Sequence, residues 1–488
     1  MTVQDEKQPK AGSINELLRV AIPLFLSSGS LSLMHVIDRM YLTWYSTDAL
    51  AAALPSGIIH WTVMSVVIGT VNYLNTFVAQ YEGARQNERV VASVWQGVYT
   101  SLAASVVFLF FIPLAGPFFS LTNHSPEMQR LETEYFVVNC IGTLPLVLQI
   151  GLSCFYSGRG KTQVVMWINF LIAAVNIVFD YALIFGWGPF PRLGIAGAAW
   201  GSNIAYFVGC STLIGLMIWG RDSREYQFWQ GRGFDPQLFR RLLRYGLPSG
   251  LNFLADIAGF SVFIFFVSDI GKIETAATNL AFNLNSLAFI PMIGFGTAVL
   301  TIVGKRIGEG RPELAVRTTW LAAALVGAYM LFFAAIYLLF PGPILYIYSI
   351  YGDPAEFELL REITISLLKF VAMYSFFDGM AIVFGSAVRG AGDTRFSLIF
   401  TIICAWSVMV APTWYFSHQG TLTLNSAWWA CTVYVMAMGI GFIVRFQSGK
   451  WKSMRVIEDS FADETSANEE NEKPVAQPAK EVLSSKHE

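Results

Sequence analysis

The chain has 488 residues, of which 54% are hydrophobic and only 14% are charged. A composition this apolar is unusual for a water-soluble protein of this length, so a membrane is the expected solvent. The formal net charge of -2 argues against a broadly basic surface and therefore against nucleic-acid binding. The five cysteines have neither metal-ligand nor disulfide spacing, and we interpret them as small core residues.

Apolar stretches long enough to cross a bilayer recur along the chain. Because a spanning helix needs about 20 mainly apolar residues, we predict twelve spans. They lie near residues 20–45, 55–78, 95–119, 135–156, 164–186, 194–219, 246–268, 280–303, 321–344, 363–388, 396–416 and 424–446. The predicted fold class is an all-α integral membrane protein with twelve transmembrane helices.

Lys and Arg are distributed unequally between alternate loops. The even-numbered loops carry sixteen basic residues and the odd-numbered loops only four, which are Arg130, Arg192, Lys272 and Arg361. Since basic loops resist translocation, we expect the even loops and both termini in the cytoplasm, with the chain in the inner (plasma) membrane. We also predict disordered cytoplasmic segments at residues 1–12 and 448–488.

The two halves of the chain begin alike. Residues 17–23 are LLRVAIP and residues 242–248 are LLRYGLP, and Gly83 corresponds to Gly308 at the same spacing, which we call the repeat offset. Six spans per half give both halves the same orientation, so we expect two six-helix bundles related by a parallel repeat. The predicted domains are an N-lobe at 13–220, a cytoplasmic linker at 221–241 and a C-lobe at 242–447.

Each lobe also opens with a helix N-terminal signal. Ser13 and Glu16 have the spacing of a capping box. Asp235 followed by Pro236 is typical of an N-cap with proline at the first helical position. We therefore expect an interfacial helix to lead into the first span of each lobe.

Four aspartates lie within the predicted spans: Asp38, Asp180, Asp256 and Asp378. A charge inside the hydrocarbon costs roughly 2.5 to 3.5 kcal/mol on insertion scales, so such residues are functional candidates. The four do not follow the repeat; Asp38, for example, corresponds to Phe263 in the second half. We infer that the lobes share a scaffold but carry different sites, with one carboxylate pair in each.

Each carboxylate pair has a neighbour one helical turn away. Asn176 precedes Asp180, and Tyr374 precedes Asp378, at a spacing that places both side chains on one face. A carboxylate with a neutral oxygen suits a proton or a small hard cation. A carboxylate beside an aromatic face suits an organic cation. The alternative interpretation is a structural polar network between helices.

Six segments, taken in order, resemble the multidrug and toxic compound extrusion (MATE) family in its bacterial multidrug-pump branch. They are MHVIDRMYLTW, SGRGKT, VNIVFDY, LGIAGAAWGSN, LNFLADIAGF and YSFFDGMAIVFGSAVRGAGDT. The resemblance extends from residue 13 to about residue 446. It implies two bundles that form a V-shaped cleft, and export of organic cations and other amphipathic toxic compounds driven by inward H+ or Na+.

The resemblance also implies site residues by position. It assigns an N-lobe cation-coupling site to Asp38, Asn176, Asp180 and Ser202, and a C-lobe cation or substrate site to Asp256, Tyr374 and Asp378. Sodium, if it is the coupling ion, would bind at Asp38, Asn176 and Asp180. Two positions depart from the family pattern: Asp256 stands where close members have Glu, and Arg39 follows Asp38 in place of a small polar residue.

The expected protein is therefore a transporter and not an enzyme, with no cofactor beyond the coupling ion. Its expected partners are small-molecule drugs and membrane lipid, and we expect a monomer. Two other functions remain as alternatives. Residues 390–393 match the Gly-x-Gly-Asp of intramembrane aspartyl proteases, but the similar turn of the first half, at residues 158–162, has Lys161 in the place of Asp393. A flippase for lipid-linked saccharides would share the broad fold, although the acidic deep charges favour cationic cargo.

Overall fold

A computed structural model of the chain describes residues 10–122, 124–346 and 354–458. These residues are almost entirely helical, and none of them forms a β-strand. Residues up to Val456 form one compact unit, and a second unit begins at Ile457. The predicted disordered segments include residues 1–9 and 459–488, which lie outside the described residues.

Six membrane spans form the N-lobe. Two of them consist of two helices each: α2 continues into α3, and α5 meets α6 at a bend of 42°. The helices are α1 (Ile14–Tyr45), α2 (Thr47–Asn72), α3 (Leu74–Gly83), α4 (Asn87–Phe119), α5 (Pro126–Ile141), α6 (Thr143–Gly158), α7 (Thr162–Phe185) and α8 (Ile195–Trp219).

A short linker leads to the six spans of the C-lobe. The linker contains α9 (Ser223–Tyr226) and a 3-10 turn at Phe228–Arg232. The C-lobe helices are α10 (Pro236–Ser268), α11 (Lys272–Gly308), α12 (Pro312–Leu339), α13 (Pro341–Tyr346), α14 (Pro354–Ala391), α15 (Thr394–Cys404), α16 (Ala411–His418) and α17 (Leu424–Gln447). A π-helical segment, Ala405–Val410, joins α15 to α16 as one span, and a 3-10 turn at Lys450–Ser453 follows α17.

The twelve predicted spans are confirmed: eleven are long apolar helices, and the bent α5–α6 pair supplies the twelfth. Several helices are longer than the predicted spans because they continue into the residues on either side of the apolar stretches. The predicted lead-in before residue 246, for example, is a continuous part of α10. We call the membrane face at which α1 begins the proximal face, and the opposite one the distal face.

The two predicted helix starts are confirmed, but one detail is wrong. Asp235 caps α10, since its Oδ1 accepts hydrogen bonds from the next two free backbone N–H groups at 3.0 Å each. Ser13 caps α1 by accepting from the Glu16 N–H at 3.3 Å. The Glu16 carboxylate, however, accepts from Gly12 N–H and pairs with Arg306, so the reciprocal bond of a capping box does not form.

Glycines at repeat-equivalent positions make the contacts between the lobes. A Cβ on Gly83 would lie 2.2 Å from the Lys305 backbone oxygen, and one on Gly308 would lie 2.0 Å from that of Gln80. The repeat offset separates residue 83 from residue 308 and also residue 80 from residue 305. The contact between α3 and α11 therefore has the two-fold symmetry that a parallel repeat requires.

A second symmetric contact lies on the same two spans, farther from the proximal face. A Cβ on Gly69 would lie 2.6 Å from Gly250 Cα, and one on Gly294 would lie 2.5 Å from the Leu24 backbone oxygen. Gly69 and Gly294 are again separated by the repeat offset. Here α2 packs on α10 as α1 packs on α11. We call the contact surface between the lobes, from the Gly69 and Gly294 contacts to the proximal face, the seam.

Hydrogen bonds reinforce the seam. Several of them join spans of the two lobes between the second glycine contact and the proximal face. They are Tyr73 to the Arg389 carbonyl, Asn75 to Thr301, Gln80 to the Gly390 carbonyl, and Arg306 to Glu16. The lobes are thus fastened together on the proximal side.

The segment after α17 adds to the seam. Trp451 is fully buried and stacks on Phe446 with ring centroids 4.8 Å apart. Further on, the Val456 N–H donates to Gln80 Oε1 at 3.0 Å, while Gln80 Nε2 donates to the Gly390 carbonyl at 3.0 Å. Packed structure therefore extends past the predicted boundary at residue 447, because an indole ring and a buried amide fix the chain there.

Candidate functional site

The predicted N-lobe residues come together where α1 packs along α7. Asp38 on α1 and Asp180 on α7 are close enough for their carboxyl groups to interact directly. Asn176 donates through Nδ2 to Asp180 Oδ1 at 3.1 Å and to Ser202 Oγ on α8 at 3.0 Å. All four predicted residues therefore form one cluster.

The cluster is buried and rich in acceptor oxygens. Asp180 and Asn176 are 0% exposed, and the Asp38 side chain is 16% exposed. Asp38 Oδ1, Asn176 Oδ1 and Asp180 Oδ2 are buried and have no hydrogen-bond partner among the described residues. Unpartnered buried acceptors are rare in proteins. Carboxylate and amide oxygens are what a small hard cation requires, so the residues fit Na+, and the carboxylates equally fit a proton.

A glycine makes room for this cluster. A Cβ on Gly201 of α8 would lie 1.9 Å from Asp180 Oδ1 and 2.8 Å from the Asp180 backbone nitrogen. Three tyrosines, Tyr41, Tyr135 and Tyr206, lie near enough to interact electrostatically with both carboxylates. Helices α1, α5, α7 and α8 therefore all contribute to the surroundings of the site.

The C-lobe carboxylates lie in a different arrangement. Asp256 on α10 accepts hydrogen bonds from Asn252 at 3.1 Å and from the Tyr434 hydroxyl of α17 at 3.4 Å. Asn252 in turn accepts from Thr401 of α15 at 3.1 Å. Asp256 thus ends a hydrogen-bonded chain that crosses three helices, and both its oxygens have a donor.

Asp378 is the less engaged carboxylate of the C-lobe. It lies on α14 within electrostatic range of Asp256, is partly exposed, and accepts no hydrogen bond from the described residues. Tyr374, one turn earlier, is only 2% exposed and lies near Cys431 and Tyr337. The structure therefore brings Asp256 and Asp378 into one region but directs the Tyr374 ring into the interior of the lobe.

Other charged residues of the sequence analysis have simpler surroundings. Arg39 is exposed and forms no ion pair among the described residues, so it does not neutralise Asp38. His35 is 54% exposed, with Nδ1 3.8 Å from Asp38 Oδ2. Asp393 accepts from two nitrogens of Arg445, at 2.7 and 2.6 Å, which is a structural ion pair between α17 and the turn before α15.

Several residues of these sites were not predicted from the sequence. Asn252 precedes Asp256 by one turn, as Asn176 precedes Asp180, and that spacing was a usable signal. Gly201, Thr401 and Tyr434 gave no signal, since uncharged residues within apolar spans are recognised only by their tertiary neighbours.

A further buried carboxylate, Glu132, was missed because the fourth span was predicted to start at residue 135. The helix α5 begins at Pro126, so Glu132 lies inside it and is 0% exposed. Its Oε1 is 2.8 Å from His124 Nδ1. The hydroxyl of Ser56 donates to the backbone carbonyl of Glu132 at 2.9 Å.

One protein-family model matches the chain twice, once in each half. The family model described as MatE matches residues 23–182 and, separately, residues 248–415. The starts of the two matches are separated by the repeat offset, as the glycine contacts are. The chain belongs to the MatE family.

Relatives of this MatE chain span nearly its whole length. It is 26% identical over 449 residues to a probable multidrug resistance protein NorM of Thermotoga maritima, covering 91% of this chain and 94% of the relative. It is 28% identical over 436 residues to a protein of the same description from Deinococcus radiodurans, covering 89% and 95%.

Solved structures share the fold. One is described as the outward-facing conformation of a multidrug resistance MATE family transporter of the MOP superfamily; it matches with a TM-score of 0.81 at 20% identity, covering 92% of this chain and all of that one. A eukaryotic MATE transporter, AtDTX14, matches with a TM-score of 0.78 at 16% identity, covering 90% and 96%. The predicted all-α fold of two six-helix bundles is confirmed.

Proposed function

We propose that this MatE protein is a multidrug efflux antiporter that exports organic cations and other amphipathic toxic compounds in exchange for inward H+ or Na+. Family membership and the multidrug resistance names of its relatives support efflux. The coupling is supported above all by the N-lobe cluster, where the facing carboxylates of Asp38 and Asp180 and the amide of Asn176 each have a buried oxygen without a hydrogen-bond partner among the described residues. Two buried carboxylates in such proximity need a proton or a cation between them.

The C-lobe site suits the cargo. Asp256 is already held by two donors and lies within electrostatic range of Arg389, whereas Asp378 is partly exposed and has no hydrogen-bond donor among the described residues. Asp378 therefore offers an uncompensated negative charge to an organic cation. Pairing with this charge would offset the free-energy cost of moving the cation out of water. This division of labour assigns ions to the N-lobe and charge selection to the C-lobe.

Exchange requires the cleft between the lobes to open alternately to the two faces of the membrane, and the seam is the contact that must change. Since the bonds between the lobes lie on the proximal side, the distal side is where the cleft opens in this conformation. Occupation of the N-lobe cluster removes the repulsion between α1 and α7, and α1 also contacts α11 across the seam. A change in α1 packing is therefore communicated directly to the contact between the lobes, which must open toward the proximal face to release the ion.

We place the protein in the inner (plasma) membrane with both termini cytoplasmic. The support is the excess of Lys and Arg in the loops of the proximal face. On this assignment the proximal side is the cytoplasm and the distal cleft opens outward. Each site is complete within one chain, so we propose that a monomer is sufficient for transport, and that it works without a cofactor or an enzymatic step.

The test is efflux of a fluorescent organic cation from proteoliposomes under an imposed H+ gradient or an imposed Na+ gradient. We expect one of the two gradients to drive efflux in the wild type, and Asp38→Asn to abolish it. The control is Asp48→Asn, which changes an exposed acid of the same lobe and should transport normally. Efflux that persists in Asp38→Asn would contradict the coupling site. If neither gradient changed efflux by the wild type, a flippase for lipid-linked saccharides would be favoured instead.

A further inference from the structure

The linker between the lobes is folded firmly onto the proximal end of α4. Phe228 stacks on Trp95 with ring centroids 5.1 Å apart, and its carbonyl accepts from the indole nitrogen at 2.8 Å. The carbonyl of Arg232 accepts from the Tyr99 hydroxyl, and that of Gly233 from Gln96 at 3.2 Å. This attachment fixes which side chains of the linker face outward.

The acidic residues of the linker are used internally. Asp222 accepts from Arg159 at 3.2 Å and from Lys161 at 2.5 Å. Burial alone would raise the pKa of Asp222, but these two bonds outweigh it and lower the pKa below its usual value. Asp235 is likewise engaged, by the helix cap and by Arg89 at 2.7 Å.

Glu225, the remaining acid of the linker, accepts from Asn87 at 3.2 Å. Four arginines of the same stretch are not compensated in this way. Arg232 and Arg240 are exposed, and neither has an ion-pair partner among the described residues. The same is true of Arg221 and Arg224. The outward side of the linker therefore carries a net positive charge.

Exposed aromatic rings accompany these arginines. Trp229 is 50% exposed and lies 5.7 Å from Trp95, measured between ring centroids. Phe234 is 55% exposed and lies 5.5 Å from Tyr99. Trp95 opens the predicted third span, so these rings lie at the boundary between hydrocarbon and water. Aromatic side chains concentrate at that boundary because one end is apolar and the other is hydrated.

We propose that Trp229, Arg232, Phe234 and Arg240, which we call the collar, bind the phosphate headgroups of anionic phospholipids in the proximal leaflet. Guanidinium groups bind phosphate through paired hydrogen bonds, and the rings beside them contact the upper acyl chains. Basic residues beside a membrane span attract anionic lipid through its surface potential. The collar joins α4 of one lobe to α10 of the other, so a bound lipid would contact both lobes.

A lipid fits the collar better than a soluble anion or a nucleic acid. The rings on either side of Arg232, Trp229 and Phe234, are half exposed. Contact with acyl chains stabilises such exposed apolar surface, whereas contact with water does not. The whole chain carries a net charge of -2, so the positive charge is local and not a general property of the surface. Lipid binding at the collar does not depend on which cargo or coupling ion the protein uses.

The test is native mass spectrometry of the purified full-length protein titrated with phosphatidylglycerol or, in parallel, phosphatidylcholine. We expect the wild type to retain phosphatidylglycerol in preference, and Arg232→Gln/Arg240→Gln to weaken that binding about tenfold, since each basic group near a charged membrane surface contributes a several-fold effect. Phosphatidylcholine binding should change little. Equal retention of phosphatidylglycerol by the wild type and the double glutamine variant would overturn the proposal.

Two matched variants complete the experiment. Arg232→Lys/Arg240→Lys keeps the charge and should retain most of the affinity for phosphatidylglycerol, which distinguishes loss of charge from misfolding. Arg130→Gln/Arg361→Gln removes two arginines of the distal face, one exposed and one half-buried, which pair with Glu127 and Glu358. This variant should bind phosphatidylglycerol as the wild type does. An equal loss in this distal variant would show a general charge effect and would also overturn the collar.

Discussion

The two lobes share a six-helix scaffold but bury their carboxylates in different ways. In the N-lobe, Asp38 and Asp180 face each other on adjacent helices, and each has a buried oxygen without a donor among the described residues. In the C-lobe, both oxygens of Asp256 have donors, while Asp378 stands apart and partly exposed. The first arrangement favours a small ion that satisfies several oxygens at once, and the second leaves one charge for a larger cation.

The sites also differ in depth. Asp38 lies well beyond the Leu24 contact of the seam, at a distance of about 21 Å along α1. Asp256 lies only about 11 Å beyond Ser249, which makes the corresponding contact on α10. The repeat therefore preserves the contacts that hold the lobes together, and the residues between those contacts and the distal face have diverged. The seam is therefore symmetric, whereas the two sites are not.

The largest effect should follow from removing the charge of the buried N-lobe acid. Asp180→Asn keeps an oxygen for the Asn176 bond but cannot exchange a proton or hold a cation equally well. We expect gradient-driven efflux to fall to the level of empty vesicles, measured with a fluorescent organic cation in proteoliposomes. Near-normal efflux would mean that the N-lobe cluster is only a structural network, and the contrast between the lobes would lose its functional meaning.

A change beside the acid tests whether its position matters as well as its charge. Gly201→Ala puts a methyl group 1.9 Å from Asp180 Oδ1, so either the carboxylate or α8 must move. We expect a loss of ion-driven efflux close to that of Asp180→Asn. The matched control is Gly215→Ala on the same helix, where the new methyl would meet only Trp219 at 3.6 Å. Normal transport by Gly201→Ala would show that the cluster tolerates rearrangement.

In the C-lobe we expect a smaller and selective effect. Asp378→Asn should weaken binding of a cationic dye by roughly tenfold, because a charge pair or cation contact of this kind contributes about 1 to 2 kcal/mol. Binding of a neutral dye of similar size should be unchanged. Fluorescence titration of the purified protein measures both, with Asp269→Asn, an exposed acid at the end of α10, as the control. Equal weakening for both dyes would assign Asp378 a structural role.

The smallest effect should come from the seam, which belongs to neither site. Gln80→Met removes the amide that joins the Gly390 carbonyl to the Val456 N–H, at a net cost of about 1 kcal/mol for each hydrogen bond lost. We expect a several-fold rise in the labelling rate of a cysteine introduced on the proximal side, with the affinities for ion and cargo unchanged. A change in affinity instead of labelling would tie Gln80 to one of the sites.

Much of this architecture could be predicted from the sequence because membrane helices are recognisable by their length and composition. The twelve spans, the repeat offset and the cap at Asp235 all follow from local signals. The pairing of Asp38 with Asp180 was inferred from their presence in the same lobe and then from family resemblance, since no local signal relates α1 to α7. The Asn252 partner was within reach, because it repeats the spacing of Asn176 and Asp180.

The remainder depended on tertiary structure. The role of Gly201 arises from the approach of α8 to Asp180, which no pattern within α8 reveals. The burial of Glu132 depends on how far α5 extends beyond the hydrophobic core of its span. The Trp451 and Val456 contacts depend on a polar segment folding back over the seam, where composition alone predicted disorder.

Separate tasks for the two lobes can be tested most directly by one measurement. Efflux of a cationic dye and of a neutral dye of matched size is recorded under the same gradient for the wild type, Asp38→Asn and Asp378→Asn. We predict that Asp38→Asn abolishes efflux of both dyes, whereas Asp378→Asn reduces efflux of the cationic dye alone. If both variants lowered efflux of both dyes in the same proportion, the division between an ion site and a cargo site would be contradicted.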